Sequence, residues 1–227
     1  MNFFNLTKRS VSQQLDYQPG IHHIFEANLI KEYTKNKKVL DIGCWTGQFL
    51  SLIEDQAVTV GLELDQEAVR YANKYHKGKY IVGSALQIPF KDNSFDVVTM
   101  WDVIEHLPVN SEISALKEAS RVLKSNGFFA LSTMTTHPFS ILFDPAFFLL
   151  HHRHYSKRKL HKLLNPYFKI IKIIYGGGIW TLITDNLNLL QKHILRNIIT
   201  KKFLSPLVKQ EFQGKGFVEI HLICQKI

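Results

Sequence analysis

The residues best suited to chemistry in this sequence begin with a glycine-containing turn and two acids. Gly43 and Gly47 follow an apolar run that contains Asp41, and a second apolar run ends at Glu63, about twenty residues after the turn. A glycine-rich turn between a strand and a helix lets a ligand approach the backbone and the helix N-terminus. The spacing of these glycines departs from the G-x-G-x-x-G fingerprint of dinucleotide sites.

The two acids indicate what such a turn would bind. Asp41 would repel a pyrophosphate but would pair well with an α-ammonium group. Glu63 lies where an acid binds the ribose hydroxyls in nucleoside-binding sheets. A ligand with an amino-acid end and a nucleoside, but no diphosphate, satisfies both acids. The residues therefore predict S-adenosylmethionine as the cofactor.

A second group of reactive side chains is Asp102-Val103-Ile104-Glu105-His106, which follows a further apolar run. The carboxyl end of such a run is where open parallel sheets bind ligands. If the segment is one helical turn, Asp102, Glu105 and His106 share a face. That face could hold a hard divalent cation or present His106 as a general base. The other interpretation is structural, with Glu105 capping backbone and His106 packed against the cofactor.

A histidine-rich run lies further along the chain at His151-His152-Arg153-His154-Tyr155-Ser156. Consecutive imidazoles seldom converge on one ion, and the sequence places no cysteine or carboxylate close by, so a metal site is not expected here. Contact of His154 or Tyr155 with the acceptor and a solvated basic loop both stay open.

These residues need a scaffold, and the hydropathy pattern predicts one. Apolar β-rich runs alternate with helical patterns over residues 1–135, which is typical of parallel βαβ units with strands buried on both faces. The predicted strands are Lys38–Gly43, Ala57–Glu63, Lys79–Val82, Asp96–Trp101, Gly127–Thr133, Phe168–Tyr175 and Phe217–Cys224. The predicted helices are Ile21–Tyr33, Gly47–Glu54, Gln66–Tyr75, Ser111–Lys124 capped by Ser111, a short basic helix capped by Ser156, and Asn186–Thr200.

Four segments in this order carry a family resemblance. They are VLDIGCWTGQF (Val39–Phe49), VGLELDQEAV (Val60–Val69), GSALQIPFKDNSFDVVTMWDVIEHL (Gly83–Leu107) and RVLKSNGFFALST (Arg121–Thr133). With them the chain, from Val39 to about Leu164, resembles the class I S-adenosylmethionine-dependent methyltransferases. Within these it is similar to the small methyltransferase-domain group that includes the ubiquinone-pathway O-methyltransferases.

The resemblance implies a fold. We expect an α/β, Rossmann-like, doubly wound and mostly parallel seven-stranded sheet with an antiparallel last strand and a C-terminal helical, Phe-rich insertion. The chain is expected to form a single methyltransferase domain over residues 1–227. Residues 1–135 would be the cofactor-binding core, and residues 136–227 would be the acceptor-side half that completes the sheet.

The resemblance also implies roles for single residues. Asp41 and the Gly43–Gly47 turn would face the methionine moiety, and Glu63 would take the ribose hydroxyls. The remaining cofactor contacts carried over are Ser84 and Ala85 beside the adenine, and Met100 and Trp101 at the end of the fourth strand. In the ubiquinone-pathway relatives an acid-x-x-Glu-His run is linked to a metal, and this chain has Asp102 at its first position.

Two departures from the family pattern bear on the cofactor. Trp45 stands where relatives usually have glycine, so its ring could form part of the wall of the cofactor site or of the acceptor site. Ser84 stands where they usually have aspartate, and a hydroxyl is a weaker acceptor for the adenine amino group than a carboxylate. We therefore expect somewhat looser cofactor binding.

The basic residues are concentrated in the C-terminal part of the chain. The 227 residues have a net charge of +9, from 28 Lys and Arg against 19 Asp and Glu. Residues 1–135 carry 14 basic and 15 acidic side chains, whereas residues 136–227 carry 14 basic and 4 acidic ones. This asymmetry suggests that one half handles a small molecule and the other faces an anionic partner.

Three interpretations of the basic half stay open. An anionic membrane surface accounts for the Phe-rich insertion, an amphipathic helix with Lys192 and Arg196, and the run Lys201-Lys202-Phe203-Leu204. Nucleic acid accounts for the charge, but the aromatic residues cluster in Phe139–Phe148 and do not alternate with basic ones. In the third, the apolar faces pack on the sheet or on a second subunit. We rank a membrane surface or lipid-linked acceptor first and nucleic acid last.

Composition argues against several other classes. Cys44 and Cys224 are too few for a disulfide framework and lack metal-ligand spacing, which favours a reducing compartment. The first residues lack the apolar stretch of a signal peptide, and polar residues and Pro138 interrupt the longest charge-free stretch. We therefore expect a cytoplasmic protein that could lie peripherally at the inner face of a membrane.

The expected function is that of an S-adenosylmethionine-dependent methyltransferase acting on oxygen of a hydrophobic or lipid-linked small molecule, such as a quinone precursor or a glycolipid. An RNA (tRNA) methyltransferase is the alternative enzyme. A catalytically silent methyltransferase-like module that binds membranes is the alternative from another class. The sequence leaves open whether the site binds a divalent cation in addition to S-adenosylmethionine.

Overall fold

The computed structural model describes residues 19–144, 147, 152–193, 201–214 and 216–227. The strands are β1 (Lys38–Ile42), β2 (Val58–Glu63), β3 (Lys79–Val82), β4 (Phe95–Trp101), β5 (Leu123–Met134), β6 (Phe168–Gly176) and β7 (Glu219–Lys226). The helices are α1 (Ile21–Thr34), α2 (Gln48–Ser51), α3 (Gln66–Tyr75), α4 (Glu112–Val122), α5 (Pro138–Leu142), α6 (Lys157–Leu164), α7 (Ile179–His193) and α8 (Lys201–Glu211). No helix in these ranges is both long and apolar enough to cross a membrane.

The strands form one sheet in the order β3-β2-β1-β4-β5-β7-β6. Strands β1 to β5 pair in parallel, and β7 runs antiparallel to both β5 and β6. This confirms the predicted Rossmann-like α/β fold with an antiparallel last strand. The chain order reverses direction across the sheet between β1 and β4, and such a switch point opens a crevice at the carboxyl ends of the strands.

Both faces of the sheet are buried, as the apolar strands predict. Successive side chains of a strand point to opposite faces. Accordingly Leu40 and Ile42 belong to one hydrophobic cluster and Val39 to the other. Helices cover each face, so the strands are held where their carboxyl ends can carry polar residues.

Several predicted boundaries are corrected by the structure. Helix α4 ends at Val122 and not at Lys124, because Leu123 already pairs with Phe95 of β4. Ser111 occupies the N-cap position, but its hydroxyl donates to the Pro108 carbonyl and caps no helical N–H. The Ser156 hydroxyl does cap α6, where it accepts from the Lys159 N–H at 3.2 Å.

The second large helix of the basic half also begins earlier than predicted. Helix α7 starts at Ile179, directly after the glycine triplet, and not at Asn186. The predicted helix continued to Thr200, and its part beyond His193, including Arg196, lies outside the described residues. Of the Phe-rich insertion, residues 145, 146 and 148–151 lie outside them as well.

Residues 136–154 leave the sheet at the end of β5 and return to the same point. Thr135 forms an isolated parallel bridge with Tyr155, and the Tyr155 N–H donates to the Met134 carbonyl at 2.9 Å. The Thr135 N–H in turn donates to the Val218 carbonyl at 2.9 Å. We call residues 136–154 the β5 excursion; it includes α5.

Candidate cofactor and acceptor site

A cavity of about 420 Å³ opens at the carboxyl ends of β1, β2 and β4. Its volume lies within the range of about 300–1,000 Å³ that is usual for small-molecule sites. The lining residues are Ile42, Gly43, Trp45, Leu62, Glu63, Leu64, Gly83, Ser84, Ala85, Leu86, Asp102, Val103, His106, Leu107 and Pro108. The cavity thus brings together seven of the site residues that the sequence predicts: Gly43, Trp45, Glu63, Ser84, Ala85, Asp102 and His106.

The turn after β1 has the backbone conformation that its glycines favour. Gly43 has φ +77° and Gly47 has φ +87°, in the left-handed region. A Cβ atom at Gly43 would lie 2.4 Å from Cγ2 of Val103, so only glycine lets the turn approach the segment after β4. Trp45 also has a positive φ of 47°, which costs a non-glycine residue about 1–2 kcal/mol. The turn therefore needs support from its neighbours.

Glu63 supplies that support. One carboxylate oxygen, Oε2, accepts a hydrogen bond from the Trp45 N–H at 3.0 Å. The other, Oε1, accepts from the N–H groups of Leu64 at 2.6 Å and Asp65 at 3.0 Å. The carboxylate therefore joins the end of β2 to the turn after β1 while it lines the cavity, where its free lone pairs can accept ribose hydroxyls.

Asp41 lies beneath the turn and is not among the lining residues. Its Oδ1 accepts a hydrogen bond from the Thr99 hydroxyl at 2.7 Å, and the side chain is buried between β1 and β4. Burial raises the pKa of this carboxyl to about 7. A cation above the turn would favour the charged form of Asp41, so its contact with a methionine moiety stays a prediction.

The other predicted cofactor residues divide into two groups. Ser84 and Ala85 lie in the cavity wall, and the Ser84 hydroxyl accepts from the Leu86 N–H at 3.1 Å. Met100 is fully buried in the hydrophobic core. Trp101 packs edge-on against Phe49, with ring centroids 5.6 Å apart. The structure therefore places the side chains of Met100 and Trp101 away from the cavity wall.

Asp102, Glu105 and His106 do not form the single helical face considered above. Asp102 has φ +51°, and its Oδ1 accepts from the Ser132 hydroxyl at 2.8 Å. Glu105 is buried and accepts from the Thr133 hydroxyl at 3.0 Å, and burial raises its pKa. His106 is exposed at the cavity. Asp102 and Glu105 therefore point toward β5, whereas His106 faces the ligand space.

Desolvation at the cavity rim, together with the neighbouring His152, lowers the pKa of His106. Its imidazole is therefore neutral at physiological pH and can accept a proton. Of the three residues, His106 has the geometry of a general base at the cavity.

The turn that carries Glu105 and His106 is held by residues that the sequence reasoning missed. The Arg153 guanidinium donates to the carbonyl oxygens of Ile104 at 2.8 Å and Glu105 at 3.3 Å, and to that of Leu107. It also forms an ion pair with Glu112 at 2.9 Å. A guanidinium that is only 18% exposed and has four acceptors fixes the turn.

Tyr155 supports the same turn from the core. Its hydroxyl lies 3.2 Å from the Ile104 carbonyl and 3.0 Å from Glu112 Oε1. His154 bonds to the Thr135 carbonyl and to Asp144. Neither residue lines the cavity, so the structure does not support the predicted contact of His154 or Tyr155 with the acceptor there. The run His152-Arg153-His154-Tyr155 alone does not indicate this supporting role, because the residues to which Arg153 and Tyr155 bond lie more than 40 residues earlier in the chain.

A buried polar group lies behind Asp102, between α1 and β7. Ser132 Oγ is 3.3 Å from Glu26 Oε1, and His221 Nε2 is 3.9 Å from the same atom. Burial raises the pKa of Glu26 and lowers that of His221 to about 4. Within the described part of the chain, Glu26 Oε2, both ring nitrogens of His221 and Trp101 Nε1 have no hydrogen-bond partner.

Comparison with known proteins agrees with this geometry. Residues 40–131 match the family described as a methyltransferase domain. An uncharacterized protein of Methanocaldococcus jannaschii is 33% identical over 115 residues, which are 50% of this chain and 43% of that protein. The demethylmenaquinone methyltransferase of Geobacillus stearothermophilus is 33% identical over 103 residues, 41% of this chain and 43% of that enzyme. The chain spans about half the length of the curated relatives it matches.

Solved structures show the same fold at lower identity. The MccD protein has a TM-score of 0.65 and 19% identity, covering 93% of this chain and 100% of that chain. An S-adenosylmethionine-dependent methyltransferase of Methanosarcina mazei has a TM-score of 0.62 and 19% identity, covering 88% and 97%. These likenesses extend the fold beyond the 92 residues of the family match, into the basic half.

Proposed function

We propose that this chain, which carries a class I S-adenosylmethionine-dependent methyltransferase domain, transfers a methyl group to a hydrophobic or lipid-linked acceptor. The observation that carries the proposal is the cavity at the carboxyl ends of β1, β2 and β4. It is lined by five of the nine residues that the sequence motifs assign to the cofactor, namely Gly43, Trp45, Glu63, Ser84 and Ala85.

The residues present fit S-adenosylmethionine. The Glu63 carboxylate suits a ribose diol, and the positive φ of Gly43, which lines the cavity, lets the main chain approach a ligand. The Glu63 carboxylate puts negative charge beside a cationic ligand, which suits a sulfonium group. A cation above the turn would also favour the charged form of the buried Asp41. When bound, the cofactor supplies an electrophilic methyl group on sulfur.

The chain's own residues would align the acceptor and remove its proton. In-line displacement depends mainly on positioning, which can supply about 7–11 kcal/mol. The His106 imidazole, which lines the cavity, would accept the proton that an acceptor hydroxyl loses on methylation. Arg153 acts through backbone carbonyls to hold His106 in place.

Exposed apolar side chains on the acceptor side support a hydrophobic acceptor. Helix α5 and the first turns of α7 lie together, since the Asn186 amide donates to the Phe143 carbonyl at 2.8 Å. Their exposed large apolar side chains are Phe139, Leu142, Phe143, Ile179, Trp180 and Ile183. An exposed group of this kind is typical of a surface that receives an apolar partner. We propose that it meets an anionic membrane surface or the apolar part of the acceptor.

The names of several relatives support a quinone-like acceptor. The 2-phytyl-1,4-naphtoquinone methyltransferase of Synechocystis is 33% identical over 118 residues, 46% of this chain and 49% of that enzyme. Oxygen is the proposed acceptor atom because His106 offers a base. Carbon is the second candidate, since a relative in Rickettsia bellii, 30% identical over 125 residues, is named a C-methyltransferase. A cytoplasmic location belongs to the proposal and is supported by Cys44 and Cys224, which are free and buried.

Calorimetry with S-adenosylmethionine tests the cofactor half of the proposal. We expect one molecule bound per chain, with affinity lowered at least about tenfold in Glu63→Ala, because the ribose acceptor is lost. Glu67→Ala, an exposed acid on α3, is the matched control and should bind as the wild type does. Absence of binding in the wild type would refute the proposal.

Transfer of a labelled methyl group tests the acceptor half. Cofactor with a labelled methyl is incubated with lipid extract, with quinone precursors and with tRNA. We expect label in the lipid or quinone fraction, and its position in the product identifies oxygen or carbon. Label in tRNA alone would contradict the hydrophobic acceptor and would favour the alternative enzyme.

A further inference from the structure

The β5 excursion brings three metal-binding side chains together. His152 and His154 lie two residues apart in an extended segment, and side chains at that spacing point to one side. Asp144 Oδ2 lies 2.6 Å from His152 Nδ1 and 2.9 Å from His154 Nε2. From the sequence we expected no carboxylate near these histidines. That expectation was wrong, because the excursion closes on itself and returns the histidines to Asp144.

Hydrogen bonding fixes the form of one imidazole. His154 Nδ1 lies 2.6 Å from the Thr135 carbonyl oxygen, which can only accept, so Nδ1 carries the hydrogen. In a neutral ring the other nitrogen, Nε2, is then a lone pair that faces the Asp144 carboxylate. Two acceptors at 2.9 Å require a proton or a metal ion between them. A histidine whose other N–H binds a backbone carbonyl has the usual orientation of a metal ligand.

His152 completes the set. Its Nδ1 faces Asp144, and among the described residues its buried Nε2 has no hydrogen-bond partner. The three side chains are largely shielded from water, with 9% of Asp144, 11% of His152 and 2% of His154 exposed. Their ligand atoms all lie within 4.8 Å of one another. Shielding of this kind keeps solvent from competing for the donor atoms.

We propose that Asp144, His152 and His154 bind one divalent transition-metal ion, for which Zn²⁺ is the probe. Two imidazoles and a carboxylate, with a fourth position open, are a common zinc donor set. Bonds of about 2.0–2.2 Å would separate the donor atoms by about 3.3 Å, so the present 2.6 and 2.9 Å contacts open by less than an ångström. The ion takes the place of a proton shared by Asp144 and the histidines, and that proton is released to solvent.

The site would act on the wall of the cavity. The His152 ring stacks on the His106 ring, with centroids 4.6 Å apart and planes 26° apart. His106 lines the cavity. A bound ion would fix His152, and through the stack it would hold His106 and both ends of the β5 excursion. Metal binding itself rests on the excursion's geometry and does not require the proposed methyl transfer.

Competition with a chromogenic zinc chelator tests the site on the full chain. The protein is first stripped with a chelator and dialysed. We expect one Zn²⁺ per wild-type chain, with affinity at least about tenfold lower in Asp144→Asn and in His154→Gln. His161→Ala, an exposed histidine on α6, is the control and should bind as the wild type does. Visible absorption of the Co²⁺ form reports coordination independently of activity.

Two further measurements keep the outcomes distinct. Circular dichroism checks that each variant is folded, and Zn²⁺ should raise the Tm of the wild type but not that of Asp144→Asn. Glu63→Ala should lose cofactor affinity and keep zinc affinity, so failure of the proposed function and failure of the metal site are separable. Equal zinc affinity in wild type and both ligand variants, or no bound ion in the wild type, would overturn the proposal.

Discussion

Glu63 Oε2 accepts a hydrogen bond from the backbone N–H of Trp45 at 3.0 Å, so the acid that ends β2 holds the turn that follows β1. Since Trp45 adopts a left-handed conformation, this bond stabilises a backbone that its own side chain disfavours. The conformation of the turn and the proposed recognition of the cofactor therefore depend on one carboxylate.

Glu63→Gln should weaken cofactor binding. An amide keeps one acceptor oxygen but loses the charge and one of the two oxygens that hold the turn, so the Kd should rise by about tenfold, or about 1.4 kcal/mol. Calorimetry at fixed pH measures the change. An unaltered Kd would mean that Glu63 holds the turn only.

Trp45 should report cofactor binding by fluorescence. Its ring lines the cavity, whereas Trp101 is buried in the core. We expect S-adenosylmethionine to quench part of the intrinsic tryptophan emission and expect Trp45→Phe to abolish most of that response. The same quenching in the variant would place the ligand elsewhere. Trp180→Phe serves as the control, because Trp180 lies on α7, away from the cavity lining.

Asp41 should give the stability of the protein a pH dependence. Burial raises its pKa to about 7, above the value near 3.9 expected in the unfolded chain, so the folded state binds more protons between about pH 4 and 7. The contribution of Asp41 to stability is therefore greatest at low pH and falls as pH rises through 7.

The variant Asp41→Asn removes this titration. Its amide oxygen can still accept from Thr99, so at pH 8 the variant should be more stable than the wild type by at least about 1 kcal/mol. The difference should shrink toward pH 5. Urea unfolding at several pH values measures it, with Asp55→Asn, whose side chain is 83% exposed, as the control. A constant difference across pH would contradict the burial of a titrating carboxyl.

Arg153 should stabilise the turn that presents His106. A lysine at this position has one ammonium and cannot reach all three carbonyls and Glu112, so Arg153→Lys should lower the free energy of unfolding by about 1–3 kcal/mol. Arg158→Lys, on the exposed side of α6, should have little effect. Equal stability of the two variants would show that the guanidinium contacts are dispensable.

His106 should determine the acid limb of the pH–rate profile of methyl transfer. The pKa of its imidazole is lowered below the usual 6.5, so the rate should rise with pH until the imidazole is neutral and should level off before pH 6.5 is passed by much. His106→Gln should reduce kcat by about 10²-fold or more and remove the acid limb. If the variant keeps the limb, another group is the base, and the buried Glu105 is the next to test.

The cavity wall around Gly43 and Glu63 could be predicted because its determinants are local. Gly43 and Glu63 each terminate an apolar strand, and parallel pairing of neighbouring strands necessarily brings their ends together. The cluster of Asp144, His152 and His154 depends instead on contacts between distant parts of the chain. Asp144 meets His152 and His154 only because Tyr155 returns to the end of β5, and no local pattern contains that bridge.

The direction in which side chains point could not be predicted from the sequence either. The run from Asp102 to His106 has the spacing of a helical face, yet the positive φ of Asp102 turns its carboxylate toward Ser132. Similarly, the pattern placed the end of α4 two residues late, because sheet pairing of Leu123 prevails over helix propensity.

The return of the chain to its point of departure at Thr135 and Tyr155 makes residues 136–154 an exchangeable module. A replacement segment of different length would need only to join the same two neighbouring backbone positions, and longer loops cost little additional closure entropy. Strands β1 and β2 would be unaffected by such an exchange. An exchange at this one position would therefore change the segment that packs beside His106 and leave the turn after β1 in place.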